Sequence, residues 1–230
     1  GLNVNSDEIF IKVITSVPTE GVITTKELDK LVYEIAASYT GSHHDYSRLA
    51  SSVAISSYHK ETDPSFSNTI KLLHEQGVIH DKLVETIDRY GSDKIDTMIN
   101  HENDYQFDYF AWKALQDMYL LKMPDGRVVE RPQHMLMRVS VCIHLGDLDK
   151  IFESYLEMSL GKFTHASPTL FNSGSSRPQL ASCFLLKCED DLEHIYETNK
   201  RSALISKYGG GIGIDITNVR CKGSIIHANN

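Results

Sequence analysis

Four cysteines are the side chains in this sequence best suited to redox chemistry or to binding a transition metal. Cys183 and Cys188 form a C-x4-C pair, but neither a second cysteine pair nor a nearby Cys/His set completes a zinc site, so we predict no metal site. Cys142 lies in a helical pattern and is most simply a core or helix-surface thiol. Cys183 follows the small residues Ala181 and Ser182 in an apolar strand, and this spacing alone predicts a buried, unreactive thiol.

A glycine-rich run at 209–213 is the second feature that could contact a ligand. It follows a predicted helix and precedes a predicted strand, whereas phosphate-binding glycine loops need a strand first and a helix afterwards. Two interpretations therefore remain open. The glycines end the helix and allow close packing, or they leave a bare backbone that a ligand can approach.

Two polar loops carry weaker signals. The loop at 164–169 offers hydroxyl and backbone N–H groups that could hold a phosphate, but polar loops usually have no such role. His43 and His44 lie in another predicted loop, and we expect them to be solvated rather than to bind a metal.

Composition limits the class of protein. The 230 residues are 41% hydrophobic and 23% charged, which is typical of a chain that can form a core. The net charge of −8 argues against a nucleic-acid partner, and no apolar run is long enough for a membrane span. The chain starts without Met or a signal peptide and both ends look cut, so we expect a cytoplasmic segment of a longer chain.

The elements that would position these residues are mainly helical up to about residue 160. Thr24 and Glu27 form a capping-box pattern, Asp45 is a candidate cap of a second helix, and Asp63-Pro64 is a candidate cap and first residue of a third. Leu83, Val84 and Ile87 suggest a fourth helix. Pro132 and Asp147 are expected to open two more, after a hairpin with a turn at 124–127.

The pattern changes after residue 160. We predict a loop at 163–176, a short buried strand at 181–186, a helix at 193–207 and a second strand at 212–217. A strand, a helix and a strand at this spacing predict a parallel βαβ unit.

Several long segments together resemble one family. They are residues 130–139 (ERPQHMLMRV), 163–172 (FTHASPTLFN), 177–186 (RPQLASCFLL) and 203–213. They resemble the large subunit of class I ribonucleotide reductase, closest to its eukaryotic and viral type. The resemblance implies a helical N-terminal region followed by the start of an α/β barrel. It also implies three parts: 1–64 as the end of an ATP cone, 65–179 as a helical domain and 180–230 as the first barrel strands.

The resemblance also implies chemistry. The family reduces ribonucleoside diphosphates to deoxyribonucleoside diphosphates, using a thiyl radical that a small, metal-containing subunit generates. By this comparison Cys183 is one of two redox-active thiols, which reverses the interpretation from spacing. The thiyl cysteine and the second reducing cysteine would lie beyond Asn230, so the segment alone should be inactive. Thioredoxin or glutaredoxin is the implied reductant, and a homodimer of large subunits the implied assembly.

Three groups of site residues follow from the same comparison. The substrate-binding group is Ser167, Ser182 and Gly211. The specificity site, which binds deoxynucleoside triphosphates, comprises Asp191, Lys207, Arg220, His227 and Ala228. The activity site, which binds ATP or dATP, comprises Thr25, Asp29 and Lys60. The sequence departs from the family pattern before Tyr196, where it is one residue shorter, and at 227–230, where a small-residue loop is expected.

Two other functions remain open. The chain could belong to a nucleotide-binding regulatory or inactive homologue, or to a helical interaction protein in which the motifs are structural. An Asn-x-Cys-x-Glu motif further along the reading frame would favour the enzyme. Saturable binding of deoxynucleoside triphosphates would separate the regulatory homologue from the interaction protein.

Overall fold

The computed structural model describes residues 1–18 and 21–226. Eleven α-helices and two strands occur in this described part of the chain. They are α1 (Ser6–Ser16), α2 (Thr25–Ser38), α3 (Asp45–Glu61), α4 (Phe66–Glu75), α5 (Asp81–Tyr90), α6 (Ser92–Asp96), α7 (Tyr109–Ala114), α8 (Pro132–Ile143), α9 (Leu148–Ser159), α10 (Ser167–Asn172), β1 (Cys183–Lys187), α11 (Leu192–Lys207) and β2 (Gly211–Asp215). A 3-10 turn (His101–Gln106) precedes α7 and a π-helical turn (Leu115–Tyr119) follows it.

The first three helices pack together around a small apolar core that includes Ile9, Ile35 and Ala50. The predicted capping box is confirmed, because Thr24 accepts from the Glu27 N–H and Glu27 accepts from the Thr24 N–H. The prediction that Asp45 caps α3 is wrong. Its carboxylate accepts from the backbone N–H of Asn3 at 2.7 Å, so it connects the start of the chain to α3 instead.

The main core lies between α4, α5, α8 and α9. The predicted start at Asp63-Pro64 is displaced by two residues, because Ser65 caps α4 and accepts from the Asn68 N–H. Asp63 instead accepts from the Ser65 N–H at 2.8 Å. Helix α8 passes through the centre of this region, and every residue from Pro132 to Val141 is buried.

The predictions for the middle of the chain are mostly confirmed. Pro132 is the first residue of α8, and Asp147 caps α9 by accepting from the Lys150 N–H. The hairpin is reduced to one antiparallel bridge between Lys122 and Val128. The predicted loop at 163–176 is wrong in part, because Pro168 and its neighbours form α10.

Strands β1 and β2 pair in parallel, with α11 as the connection, which confirms the predicted βαβ unit. Helix α11 covers one face of the pair, so β1 alternates between exposed and half-buried residues. The chain therefore consists of a helical N-terminal region and the first two strands of an open sheet. In the described residues, no helix combines the length and the apolar character that a membrane crossing requires.

Candidate functional site

Cys183 and Gly211 are direct partners at the first position of the two parallel strands. The Gly211 N–H donates to the Ser182 carbonyl at 2.7 Å, and the Ser182 hydroxyl lies 3.6 Å from the Cys183 sulfur. Three residues that the family resemblance selects separately therefore lie at one end of the sheet. Backbone hydrogen bonds hold this arrangement, so it does not depend on flexible side chains.

The Cys183 side chain lies on the open face of β1. Its thiol is free, and the residue is exposed rather than buried. The burial predicted from spacing is wrong because α11 covers only the opposite face, where Phe184 and Leu186 are half-buried. An exposed free thiol can exchange with another thiol or disulfide, which a buried one cannot do.

The glycine run has different roles at successive positions. Gly209 ends α11 with a φ of +78°, a conformation that favours glycine. A Cβ at Gly210 would lie 2.6 Å from Ile205 Cγ2 and 2.7 Å from Phe184 Cε2, so this glycine allows α11 to pack on β1. A Cβ at Gly211 would meet only the Ser182 carbonyl, at 3.2 Å. Close packing thus accounts for Gly210, while the exposed backbone at Gly211 is available to a ligand.

Ser167 is the exposed first residue of α10, and its hydroxyl lies 2.8 Å from the Tyr119 hydroxyl. Two side chains connect α10 to the segment that leads into β1. Thr169 donates to the Leu180 carbonyl at 3.1 Å, and Asn172 donates to the Gln179 carbonyl at 2.8 Å. Helix α10 is therefore anchored beside the approach to Ser182 and Cys183.

The predicted specificity residues are brought together only in part. Asp191 caps α11 and accepts from the N–H groups of Glu193 and His194. Arg220 Nε donates to Asp190 at 2.7 Å, so this cation lies next to the Asp191 segment. Lys207 is the last residue of the 16-residue helix α11, about 24 Å from its start. Its ammonium lies 5.7 Å from the centre of the Tyr208 ring.

His227 and Ala228, the other two predicted specificity residues, lie outside the described residues.

Two of the three predicted activity-site residues are in contact. Lys60 on α3 donates to Asp29 on α2 at 3.2 Å. Thr25 is the first residue of α2, one helical turn before Asp29. Because residues four apart share a helix face, the three side chains lie in one surface region at the α2–α3 junction.

A pair of histidines, His134 on α8 and His101 at the start of the 3-10 turn, was not predicted. The Nε2 atoms of His101 and His134 lie 2.9 and 3.2 Å from the Pro64 carbonyl, and their two rings meet edge to face at 5.1 Å. Burial lowers the pKa of His101 and lowers that of the fully buried His134 well below its usual range. His134 is thus held neutral, and its pairing across 70 residues left no local signal in the sequence.

A buried ion pair between Glu130 and Arg138 was also missed, although both residues lie in the segment 130–139. The Arg138 Nε donates to Glu130 at 2.6 Å, and Glu130 also accepts from the Leu121 N–H at 2.9 Å. The sequence signal that could have suggested it is a pair of opposite charges, Glu130 just before the predicted helix and Arg138 within it.

Among the described residues, one set of potential metal ligands has its atoms within 4.8 Å of one another: His43, His44 and Asp45. The His43 Nδ1 accepts from the Asp45 N–H at 3.1 Å, so this ring already stabilises the start of α3. We predicted these histidines to be solvated, and His44 is exposed while His43 is half-buried.

Comparison with known proteins defines the class. Residues 105–178 match the family model described as ribonucleotide reductase, all-alpha domain, and residues 181–230 match the barrel domain of the same enzyme. The second match begins two residues before the Cys183 end of β1. The helical region followed by an open parallel sheet is thus the arrangement of a ribonucleotide reductase chain.

Full-length relatives show which subunit is involved. The chain is 45% identical to the ribonucleoside-diphosphate reductase large subunit of Variola virus over the whole chain and 31% of that protein. It is 47% identical to the large subunit of Arabidopsis thaliana over 90% of the chain and 26% of the relative. It is 44% identical to the large chain of Schizosaccharomyces pombe over 99% of the chain and 29% of the relative. The chain belongs to the ribonucleotide reductase large-subunit family and spans about a third of the relatives' length.

Proposed function

We propose that this chain is part of a large subunit that reduces ribonucleoside diphosphates, and that Cys183 is one of its two reducing thiols. The observation that supports this role best is the pairing of an exposed Cys183 with the bare backbone of Gly211 at one end of a parallel sheet. A thiol that reduces a ribose must lie beside a backbone that the sugar can approach, and a Cβ at position 211 would narrow that approach.

The proposed reaction balances as a two-electron reduction. The ribose 2′ hydroxyl leaves as water, a hydrogen replaces it, and two thiols become a disulfide. Cys183 supplies one thiol, and its partner is proposed to lie in chain outside these 230 residues. A separate small, metal-containing subunit supplies the radical that starts the reaction. A dithiol protein of the thioredoxin or glutaredoxin class then reduces the disulfide.

Ser167 and Ser182 are proposed to orient the substrate. Ser182 is held by its carbonyl contact with Gly211, and Ser167 is held beside Tyr119 on the anchored helix α10. Hydroxyl groups in these positions can donate to a phosphate or accept from a sugar hydroxyl. The site would thus bind substrate through neutral donors, which suits a chain with a net charge of −8.

Allosteric nucleotide sites are a separate part of the proposal. Asp191 and Arg220, with His227 and Ala228, would form a specificity site for deoxynucleoside triphosphates. The position of Lys207 at the other end of α11 supports a site completed by a second subunit, as in a homodimer. Thr25, Asp29 and Lys60 would form part of an activity site for ATP or dATP, supported by the Asp29–Lys60 contact.

The domain division into 1–64, 65–179 and 180–230 also remains a proposal. Separate apolar cores support it, since one lies in α1–α3 and the main one begins at Phe66. The second half of α3 packs across the first boundary, because Ala54 and Tyr58 share a core cluster with Trp112 of the second part. We therefore expect residues 1–64 and 65–179 to be connected by this contact rather than to move independently.

Replacing Cys183 by serine in the protein encoded by the complete reading frame tests the proposed redox role. We expect multiple turnover with an external dithiol reductant to be lost, because serine cannot form the disulfide. Binding of deoxynucleoside triphosphates should stay within about twofold of the wild type, less than half a kcal/mol. The measurements are steady-state product formation and equilibrium dialysis.

Cys221→Ser is the matched control, since Cys221 is also exposed and free, and its sulfur lies 3.3 Å from the nearby Ser224 hydroxyl. This variant should turn over at the wild-type rate. Normal steady-state turnover of Cys183→Ser would show that Cys183 is not a reducing thiol.

A further inference from the structure

A cleft of about 310 Å³ lies between α2, α3, α7 and the turn before Val128. Its floor is formed by Ala54, Tyr58 and Trp112, all of which are buried. Lys26 and Lys30, on one face of α2, form one wall. None of the expected activity-site residues lines it, although the cleft and that site share helices α2 and α3. The cleft is therefore a distinct surface of the same region.

The rim of the cleft is cationic. Lys26 and Lys30 come from α2, Lys113 comes from α7, and Arg127 comes from the turn on the opposite side. Two carboxylates also line the cleft, Glu27 and Glu61, which leaves a local formal charge of +2 in a chain of net charge −8. Cations from three separate elements that face one cleft are an arrangement that attracts an anion.

The cations of the rim are only weakly engaged. Lys30 lies 3.8 Å from Glu34, Lys113 lies 3.3 Å from Asp117, and each of these pairs is largely exposed to solvent. Exposed ion pairs contribute little to stability, so an incoming anion can replace them at small cost. The Lys26–Glu61 pair at 2.7 Å is the tightest on the rim, and its lysine is also exposed.

The acidic side chains have other partners. Both the N–H and the hydroxyl of Thr24 donate to Glu27, at 2.9 and 2.7 Å. These hydrogen bonds lower the pKa of the Glu27 carboxyl and hold it at the start of α2. Glu27 therefore serves as part of the capping box, which leaves Glu61 as the acid that a bound anion has to displace from Lys26.

The interior of the cleft is aromatic. The rings of Tyr58 and Trp112 meet edge to face, with centroids 5.0 Å apart, and Tyr33 lines the wall above them. Tyr58 and Trp112 are 8% and 2% exposed, so the half-buried Tyr33 is the ring that an aromatic ligand group can contact. A volume of about 310 Å³ is large enough for a small ligand that has one ring system.

We propose that this cleft binds a nucleotide, with the base against Tyr33 and the phosphates toward Lys30, Lys113 and Arg127. A simple polyanion would use the rim but not the aromatic interior, and an uncharged nucleoside would use only the interior. The juxtaposition of both surfaces in one cleft favours a ligand that carries both groups.

Hydrogen–deuterium exchange on the protein encoded by the complete reading frame locates binding without assuming an activity. The probes are ATP, inorganic tripolyphosphate and adenosine, each added separately. We expect ATP to slow exchange in peptides that cover 26–33 and 109–116, tripolyphosphate to do so less, and adenosine to have no effect. Equal protection by tripolyphosphate and ATP would overturn the nucleotide assignment, as would no protection of these peptides by ATP.

The double variant Lys30→Glu/Lys113→Glu tests the rim, and Lys150→Glu on the exposed surface of α9 is the matched control. The apparent ATP affinity read from cleft protection should weaken at least about tenfold in the double variant and stay unchanged in the control. Both substituted side chains are largely exposed. If the glutamate double variant has an altered helical circular dichroism spectrum, Lys30→Gln/Lys113→Gln replaces it. Protection that is insensitive to both double variants would refute the proposal.

Lys60→Ala separates this cleft from the proposed activity site, because Lys60 pairs with Asp29 outside the cleft. Protection of 26–33 and 109–116 should survive this change. If it is lost, the nucleotide occupies the activity site and the cleft is not a separate site. The result is independent of the Cys183 test, which measures turnover.

Discussion

The buried ion pair between Glu130 and Arg138 connects three parts of the helical region. Both side chains are fully buried, with Arg138 Nε donating to Glu130 Oε1 at 2.6 Å and Nη2 donating to Oε2 at 3.0 Å. The guanidinium also donates to the backbone carbonyls of Leu170 and Ser173 at the end of α10. Glu130 accepts from the Leu121 N–H, so the pair joins the hairpin, α8 and α10.

Glu130→Gln keeps the shape of the side chain but leaves the Arg138 guanidinium buried without a counter-ion. Breaking a buried pair by removing one partner costs about 3–5 kcal/mol of unfolding free energy. We expect about 3 kcal/mol here, at the lower end, because two backbone carbonyls still accept from Arg138. Arg138→Met should cost about 5 kcal/mol, since it leaves the carboxylate buried without a counter-ion, with the Leu121 N–H as its remaining donor, and removes the donor to both carbonyls.

Equilibrium urea unfolding measures these changes, with far-UV circular dichroism as one probe. Trp112 is the only tryptophan in the sequence, and its fluorescence is a second, independent probe. The double variant Glu130→Gln/Arg138→Met should be more stable than the sum of the two single changes predicts, by about 2 kcal/mol. The control is Glu157→Gln, which removes a half-buried partner of the exposed Lys162 and should cost less than about 0.5 kcal/mol.

The loss of unfolding free energy in Glu130→Gln is compared with the loss in the control Glu157→Gln. If Glu130→Gln destabilises the chain by no more than about 1 kcal/mol beyond that control, the pair is not the connection between α8 and α10 that its geometry suggests. A double variant whose cost equals the sum of the single costs would also contradict direct coupling between the two side chains.

Two further predictions concern protonation and packing. Burial holds His134 neutral in the folded state with a lowered pKa, so the unfolded chain binds the extra proton below about pH 6.5. The free energy of unfolding should therefore fall as the pH falls from about 6.5, by up to about 1.4 kcal/mol per pH unit. Midpoints of urea unfolding that do not change down to about pH 5.5 would contradict this. Gly210→Ala should destabilise the βαβ unit by about 1–3 kcal/mol, because the new methyl group would contact Ile205 and Phe184. Gly41→Ala is the control, because a Cβ at Gly41 would have no atom within 4 Å. Equal thermal midpoints for the two alanine variants would exclude the packing role of Gly210.

Helix starts were predicted well where the contacts that form them are local. The Thr24 capping box and the Asp147 cap use partners three residues away, and Pro132 starts α8 through its own fixed backbone angle. The predictions for Asp45 and Asp63 failed because other groups compete for the same carboxylates. Asp45 binds the Asn3 backbone, 42 residues earlier, and no local pattern reports such a contact.

The candidate site was predictable only through the family resemblance. From the sequence pattern alone, Cys183 was expected to be buried, because an apolar strand segment does not reveal which of its faces will be covered. The parallel pairing was predicted, but the register that places Cys183 opposite Gly211 depends on how α11 packs. The ion pair of Glu130 with Arg138 lies within eight residues, yet its importance comes from the contacts to α10, more than 30 residues away.

Cys183 with Gly211 forms one proposed group of site residues, and Asp191 with Lys207 belongs to another. The first group lies together within this chain, whereas the second does not. The position of Cys183 beside Gly211 results from backbone hydrogen bonds within one βαβ unit, even though Leu185, the next residue along the open face of β1, is 90% exposed. Asp191 and Lys207, in contrast, lie at opposite ends of one helix, and no local rearrangement can bring them to a common ligand. A two-stranded sheet is only marginally stable alone, so further strands must stabilise the first group without changing its register. Under the proposed assignment, the second group requires another surface to be completed, so we expect effector binding to depend on how subunits assemble.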